Sequence, residues 1–126
     1  MKEAMYNMDI NNNYFKDKKV LVAGGAGFIG TNLIKKLLLL GAKVRAVDIK
    51  NEPQLKSGNF EYFVLDLQKK EDCQKAVEGM DYVFMLAANT AGAAVMEKTP
   101  LVQVTPNIIM NSLMLEAAYE AGVKKF

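Results

Sequence analysis

The chain of 126 residues contains no histidine and a single cysteine, Cys73. Without histidine there is no His-dependent catalytic triad, no imidazole proton shuttle and no His-ligated metal site. One cysteine excludes an internal disulfide and a cysteine-based metal site, and it fits a reducing, cytoplasmic compartment. Net charge is small: sixteen Lys and Arg against fourteen Asp and Glu leave +2, too balanced for a dedicated nucleic-acid binder. Long apolar runs are missing as well. The longest stretch free of strongly polar residues, Val20–Gly30, is broken by glycines and falls short of the ~18 residues of a membrane span, so no membrane partner is expected. Residues 1–19 lack the continuous apolar core of a secretory signal. What remains is 51% hydrophobic residues, enough to give one domain of this length a core.

Residues 1–18 are Asn-rich without a clear period and read as a flexible leader, with Tyr14 and Phe15 placed to cover an edge of the core. From Lys19 the texture changes. Val20–Ala23 is a short, wholly apolar run ending in glycines, which suits a strand buried on both faces of a parallel sheet. Phe28, Ile29, Leu33, Ile34, Leu37, Leu38 and Leu40 form a helical apolar stripe, and Gly41 stands where a left-handed C-cap belongs. Lys43–Asp48 reads as a second strand, so residues 19–48 have the size of one βαβ unit. The alternation continues with a loop at 51–59, a strand Phe60–Leu65, a helix Lys70–Glu78 closed by Gly79, and a strand Asp81–Ala87. A long connection follows over Asn89–Thr105. The helix Asn107–Ala121 has Pro106 at its start and Gly122 past its end, and a fifth strand begins at Val123. Strands alternating with helices predict an α/β, Rossmann-like doubly wound parallel sheet with strand order 3-2-1-4-5, cut short within strand five. Residues 19–126 are then a dinucleotide-binding domain. A strand starting this close to the last residue leads us to expect the N-terminal piece of a longer protein.

The decisive segment is Ala23–Gly30, in which Gly24, Gly27 and Gly30 have G-x-x-G-x-x-G spacing between a strand and an amphipathic helix. The first glycine permits a tight turn off the strand. The second lets backbone approach a pyrophosphate, and the third lets the helix pack closely. The amides at the helix start, with the positive end of its dipole, then face the phosphates. Asp48 closes the second strand and can accept both ribose hydroxyls of an adenosine. A carboxylate there repels a 2′-phosphate, which favours NAD over NADP, although Lys50 two residues on softens that preference. Asp66, after the third strand, can accept from an adenine amino group with the Leu67 backbone nearby; as a helix N-cap it has an equally simple structural reading. Leu86, Ala87 and Ala88 end the fourth strand with room for a ribose or nicotinamide at the switch point of the sheet.

Together AGGAGFIG at 23–30, VDI at 47–49, LDL at 65–67, DYVFMLAA at 81–88 and the Asn107–Ala118 segment resemble the extended short-chain dehydrogenase/reductases, the NAD-dependent sugar-nucleotide epimerases, dehydratases and reductases. The resemblance runs from Lys19 to Phe126. It implies that Gly24, Gly27, Phe28, Ile29 and Gly30 form the phosphate loop and that Asp48 and Ile49 form the adenosine-ribose site. It likewise implies that Asp66 and Leu67 serve the adenine, that Leu86, Ala87 and Ala88 face the cofactor, and that Asn107 matches a family asparagine at the start of the long helix. Asn89, Thr90, Ala91 and Gly92 are candidates for the sugar-nucleotide side. Met85 stands where the family often has His, and Met110 and Asn111 where it often has Gly-Thr; the latter pair is similar to the branch of GDP-mannose epimerases and GDP-fucose synthases. The family's catalytic Ser or Thr and Tyr-x-x-x-Lys come after strand five. Tyr14 and Lys18 match that spacing only by coincidence, since they precede the first strand.

The reading is thus the NAD-binding portion of a sugar-nucleotide epimerase or dehydratase that acts by transient hydride transfer to NAD, with a nucleotide-sugar as partner. These residues alone hold the cofactor half and are expected to show no turnover. Two alternatives stay open: an NADP-dependent reductase of the same superfamily, and a non-catalytic dinucleotide-binding sensor. The resemblance also implies a homodimer through helix 107–121, with Met110 and Met114 either at that interface or, as favoured, in the core.

Overall fold

A computed structural model describes residues 13–126 apart from positions 52, 54 and 91. The expectations for residues 1–12 and for Ala91 lie outside these residues. Four strands, β1 (Lys19–Ala23), β2 (Lys43–Asp48), β3 (Phe60–Val64) and β4 (Tyr82–Met85), form one sheet. All pairings are parallel and the order is β3-β2-β1-β4, the doubly wound arrangement expected of a Rossmann-like fold. The helices are α1 (Phe28–Leu39), α2 (Lys70–Val77), α3 (Ala93–Lys98) and α4 (Leu101–Glu120).

Alternation along the strands divides the core. Val20, Val22, Val44 and Ala46 face Ile34 and Leu37 of α1. Leu21, Ala23, Val47 and Val83 face Cys73 and Val77 of α2 and Met110, Met114, Ala117 and Ala118 of α4. Strands apolar on both faces require a helix layer on each side, and the two clusters supply it. Met110 and Met114 are therefore core residues. The stripe of α1 is narrower than its apolar sequence: Gly30, Ile34 and Leu37 are buried, whereas Phe28, Ile29 and Leu39 are exposed. Gly41 (φ +79°) turns left-handed after α1 as expected, with the Ala42 amide donating to Leu37 O at 3.0 Å.

Three segments depart from the sequence reading. The connection after β4 hides α3, a six-residue helix with no buried residue and hence no apolar period to betray it. The long helix starts at Leu101 rather than Asn107 and runs through Pro106. Proline lacks the amide that would bond Val102 O four residues back; that carbonyl is instead approached by Asn89 Nδ2 at 3.4 Å. Where the start of a fifth strand is expected, Lys125 makes a parallel bridge to Tyr82 on the free edge of β4. β4 itself is shorter than expected because β1, its neighbour, bends away after Ala23 opposite Met85.

Asn13–Lys18 packs against the sheet. Phe15 meets Tyr82 edge-on at 6.1 Å, and the Asp17 amide donates to Gly41 O at 2.9 Å. Tyr14 lies 5.8 Å from Tyr82, the first residue of β4. Tyr14 and Lys18 thus sit at the amino end of the strands.

Arg45 ties three elements together. Its Nη1 donates to the carbonyls of Ala76 (3.0 Å) and Glu78 (2.8 Å) at the end of α2. Its Nε donates to Glu61 on β3 at 2.7 Å, and the guanidinium lies 5.2 Å from the centre of the Phe63 ring. A lysine has one compact ammonium and cannot span these acceptors. Arg45→Ala is expected to lose about 2 kcal/mol, mostly from the carbonyls left without a donor. Thermal unfolding should detect that as a Tm lower by roughly 5–10 °C, and Arg45→Lys should not restore it.

Cys73 is fully buried, and its thiol donates to Leu67 O at 3.2 Å. Burial, aided by the charges of Asp72 and Asp66, pushes the thiol up to about 11. The thiolate is therefore easier to form in the unfolded chain. This protonated thiol favours the native state below the ordinary cysteine value, and the advantage is lost as pH rises through 9 towards 11. At pH 8 a thiol reagent should modify native Cys73 at least ~100-fold more slowly than the urea-unfolded chain; equal rates would contradict the buried placement.

Candidate functional site

The glycine turn is built by β2. After Ala23, the amides of Gly24 and Gly25 both donate to Val47 O, at 2.8 and 3.1 Å. The Ala26 amide donates to Asp48 Oδ2 at 3.1 Å, and the Gly27 amide returns to Gly24 O at 3.2 Å. Thr31 Oγ1 closes the far side on Gly25 O at 3.2 Å. Each turn amide therefore has a partner inside the chain.

The start of α1 differs. No side chain caps it and its first turn holds no acidic residue, so its leading amides and the positive end of the helix dipole are left for an outside anion. Gly24 has φ +85°, and a Cβ there would lie 2.7 Å from the Ala87 amide nitrogen. It therefore serves both the turn and the close passage of the chain leaving β4. A Cβ on Gly30 would collide with Gly24 O, so the third glycine seats the helix on the turn. Gly27 meets only Gly24 O, at 3.4 Å. These are the features of a cradle that a diphosphate fits: small residues along its wall and free amides at its head.

In front of the turn, at the carboxyl ends of the strands, lies a cleft of about 560 Å³. That is within the usual range for small-molecule sites. Gly24, Gly27, Phe28, Ile29 and Gly30 line one side. Asp48, Ile49, Asp66 and Leu67 line the second, and Leu86, Ala87 and Ala88 the third. Asn89 and Thr90 from the connection after β4 also reach it. A second depression of about 330 Å³, bordered by Lys19, Lys43 and Asn59, lies at the amino ends of the strands. Ligands of open α/β sheets bind at the carboxyl ends, at the switch point between the first and fourth strands, and only the first cleft is there.

The acidic residues are held in place. Asp48 Oδ1 accepts from the Lys50 amide at 3.2 Å while Oδ2 holds Ala26. Asp66 Oδ1 accepts from the Gln68 amide at 3.0 Å, closing a turn before α2. The N-cap position of α2 is Lys69, without a side-chain bond, so Asp66 shapes the approach to the helix and does not cap it. Asp72 Oδ2 in turn accepts from the Asp66 amide at 2.8 Å. Leu67 is buried, so its backbone is what it offers to the cleft. Exposed Phe28, Ile29 and Ile49 give the rim apolar surface.

Asn107 stands apart. It does not line the cleft; its Oδ1 accepts from the Asn89 amide at 2.7 Å and its Nδ2 donates to Asn89 O at 3.0 Å. It acts on the cleft by pinning Asn89. The sequence reading did not single out Gln68 or Met110 as wall residues, though both line it. Gln68 follows the LDL segment directly, whereas Met110 comes from a helix whose approach only the tertiary packing reveals. Among the described residues, no tyrosine lines the cleft.

Residues 20–126 match the model of the NAD dependent epimerase/dehydratase family. GDP-mannose 3,5-epimerase of Arabidopsis thaliana is 33% identical over 86% of this chain and 29% of its own length. The structure of UDP-glucose 4-epimerase with UDP-glucose from Thermotoga maritima superposes with a TM-score of 0.73 at 32% identity, over 86% of this chain and 36% of that one. A uronate dehydrogenase variant from Agrobacterium tumefaciens, in complex with NAD, gives 0.70 at 26% identity, over 83% and 37%. The chain thus spans about a third of the length of these proteins. The match begins one residue into β1 and includes every strand and helix described above, and on that ground the chain belongs to the NAD-dependent epimerase/dehydratase family and carries its Rossmann domain.

Proposed function

We propose that the cleft binds NAD and that the protein acts as a nucleotide-sugar epimerase or dehydratase. The observation that carries this reading is the convergence of three separate segments on one cleft: the glycine turn, the Asp48–Ile49 end of β2, and the Asp66–Leu67 turn. The diphosphate is assigned to the head of α1, the adenosine ribose to Asp48, and the adenine to the space between Ile49 and Asp66–Leu67. Leu86, Ala87 and Ala88 leave the third wall to the nicotinamide half. When bound, NAD takes up and returns a hydride. What these residues do is bind it, orient it and supply an apolar rim. The nucleotide-sugar substrate is supported by the names of the two epimerase relatives, and a GDP-sugar by the Met110–Asn111 pair together with the GDP-mannose relative.

Asp48 favours NAD over NADP in this reading because a 2′-phosphate would sit against a carboxylate. Calorimetric titration of the chain should give NAD at least ~10-fold tighter than NADP, a difference of about 1.4 kcal/mol. Equal affinities would remove the role given to Asp48, and binding of neither would remove the NAD site.

Self-association through α4 belongs to the same proposal. Ile108, Leu115 and Tyr119 are exposed at helical spacing on one face of α4, a surface suited to a second copy. Sedimentation equilibrium is expected to show a dimer that Leu115→Glu converts to monomer; a wild-type monomer at all concentrations would dismiss it.

A further inference from the structure

We infer that Asp48 is a positioning residue for the phosphate turn, separately from any contact it makes with a ribose. The inference rests on the reading of the cleft as an NAD site. Among the turn amides, Gly24, Gly25 and Gly27 donate to main-chain carbonyls. Ala26 alone depends on a side chain, Asp48 Oδ2, across 22 positions of sequence. Ala26 lies in the middle of the turn, two residues before α1 begins, so its direction sets how the leading amides of α1 face the cleft. The carboxylate is itself fixed, because Oδ1 is held by the Lys50 amide. Both oxygens are therefore committed to main-chain donors from two elements before any ligand arrives. Charge-assisted bonds of this kind are stronger than neutral ones, which suits a group whose task is to hold a loop.

The two roles predict opposite signs for a ligand with no ribose. Inorganic pyrophosphate should be repelled by a nearby carboxylate, so if Asp48 served only as a ribose acceptor, Asp48→Ala would leave pyrophosphate binding unchanged or tighten it. If Asp48 sets the turn, the same substitution weakens it. Asparagine keeps an oxygen acceptor for the Ala26 amide but loses the charge and one acceptor. Asp48→Asn should therefore retain pyrophosphate binding while losing NAD affinity.

The test is a titration of wild type, Asp48→Ala and Asp48→Asn with inorganic pyrophosphate and with NAD, followed by the amide resonances of Gly24–Gly30, with the remaining resonances reporting that each variant is folded. The expected result is a pyrophosphate affinity reduced at least ~3-fold in Asp48→Ala and within about twofold of wild type in Asp48→Asn, with NAD weakened ~10-fold or more in both. Unchanged or tighter pyrophosphate binding by Asp48→Ala overturns the inference, as does an equal loss in both variants. A wild type that binds neither ligand sinks the NAD-site reading instead. Should Asp48→Ala not fold, amide hydrogen exchange in the wild type decides: the Ala26 amide is expected to exchange well behind that of Phe28 at the uncapped head of α1, and equal rates overturn the inference.

Discussion

The end of β2 holds the turn that leaves β1. Val47 O takes two amides of that turn and Asp48 takes a third. The shape of the glycine turn and the start of α1 follow from this tie. The register of β1 with β2, Ala23 opposite Val47, places the acceptors beside the glycines. The glycines can then follow a path closed to residues with a Cβ, and α1 begins with no side chain capping its leading amides. What this edge offers an anion is main-chain dipoles, and their orientation is settled by the neighbouring strand.

The sheet and the cleft were largely legible in the sequence because local and tertiary demands agree there. Val20–Ala23 is apolar on both faces since both faces are covered, and the glycine spacing is read directly as backbone geometry. Legibility failed where an element gets its reason from somewhere else. Pro106 looks like the start of a helix, and in isolation it would be. Here Asn89, far along the chain, approaches the carbonyl that proline orphans, and the helix continues upstream to Leu101. α3 buries nothing, so no hydrophobic period marks it. Phe28 and Ile29 look like the first members of the α1 stripe, yet they are exposed on the cleft rim. An apolar residue at a helix start can serve the core or a ligand, and periodicity cannot tell which.

Asparagine does much of the work on the wall of the cleft beyond β4. Asn107 exchanges two hydrogen bonds with the main chain of Asn89, a side-chain imitation of strand pairing. Asn89 reaches on to Val102 O, and Asn111 Nδ2 bonds Asn107 O at 2.7 Å. The chain leaving β4 has by then lost β1 as a partner. Its polar groups still need partners, and α4 provides them through amide side chains, so this wall of the cleft is held by a helix and the opposite wall by a strand.

The division of labour between the two ends of the sheet is a consequence of parallel pairing. All four carboxyl ends meet at one edge, where strands break into turns with small residues and where α1 starts without a side-chain cap. All four amino ends meet at the other, where Tyr14, Phe15 and Tyr82 stack and Asp81 accepts from the Lys19 amide at 2.9 Å. The Lys19 amide, together with Lys124 at 3.0 Å, holds the Asp81 carboxyl below its ordinary value. The amino edge is satisfied by its own side chains, whereas the carboxyl edge keeps the uncapped head of α1 facing the cleft. Tyr14 and Lys18, for all their matching spacing, belong to this amino edge and are not among the residues that line the cleft at the other.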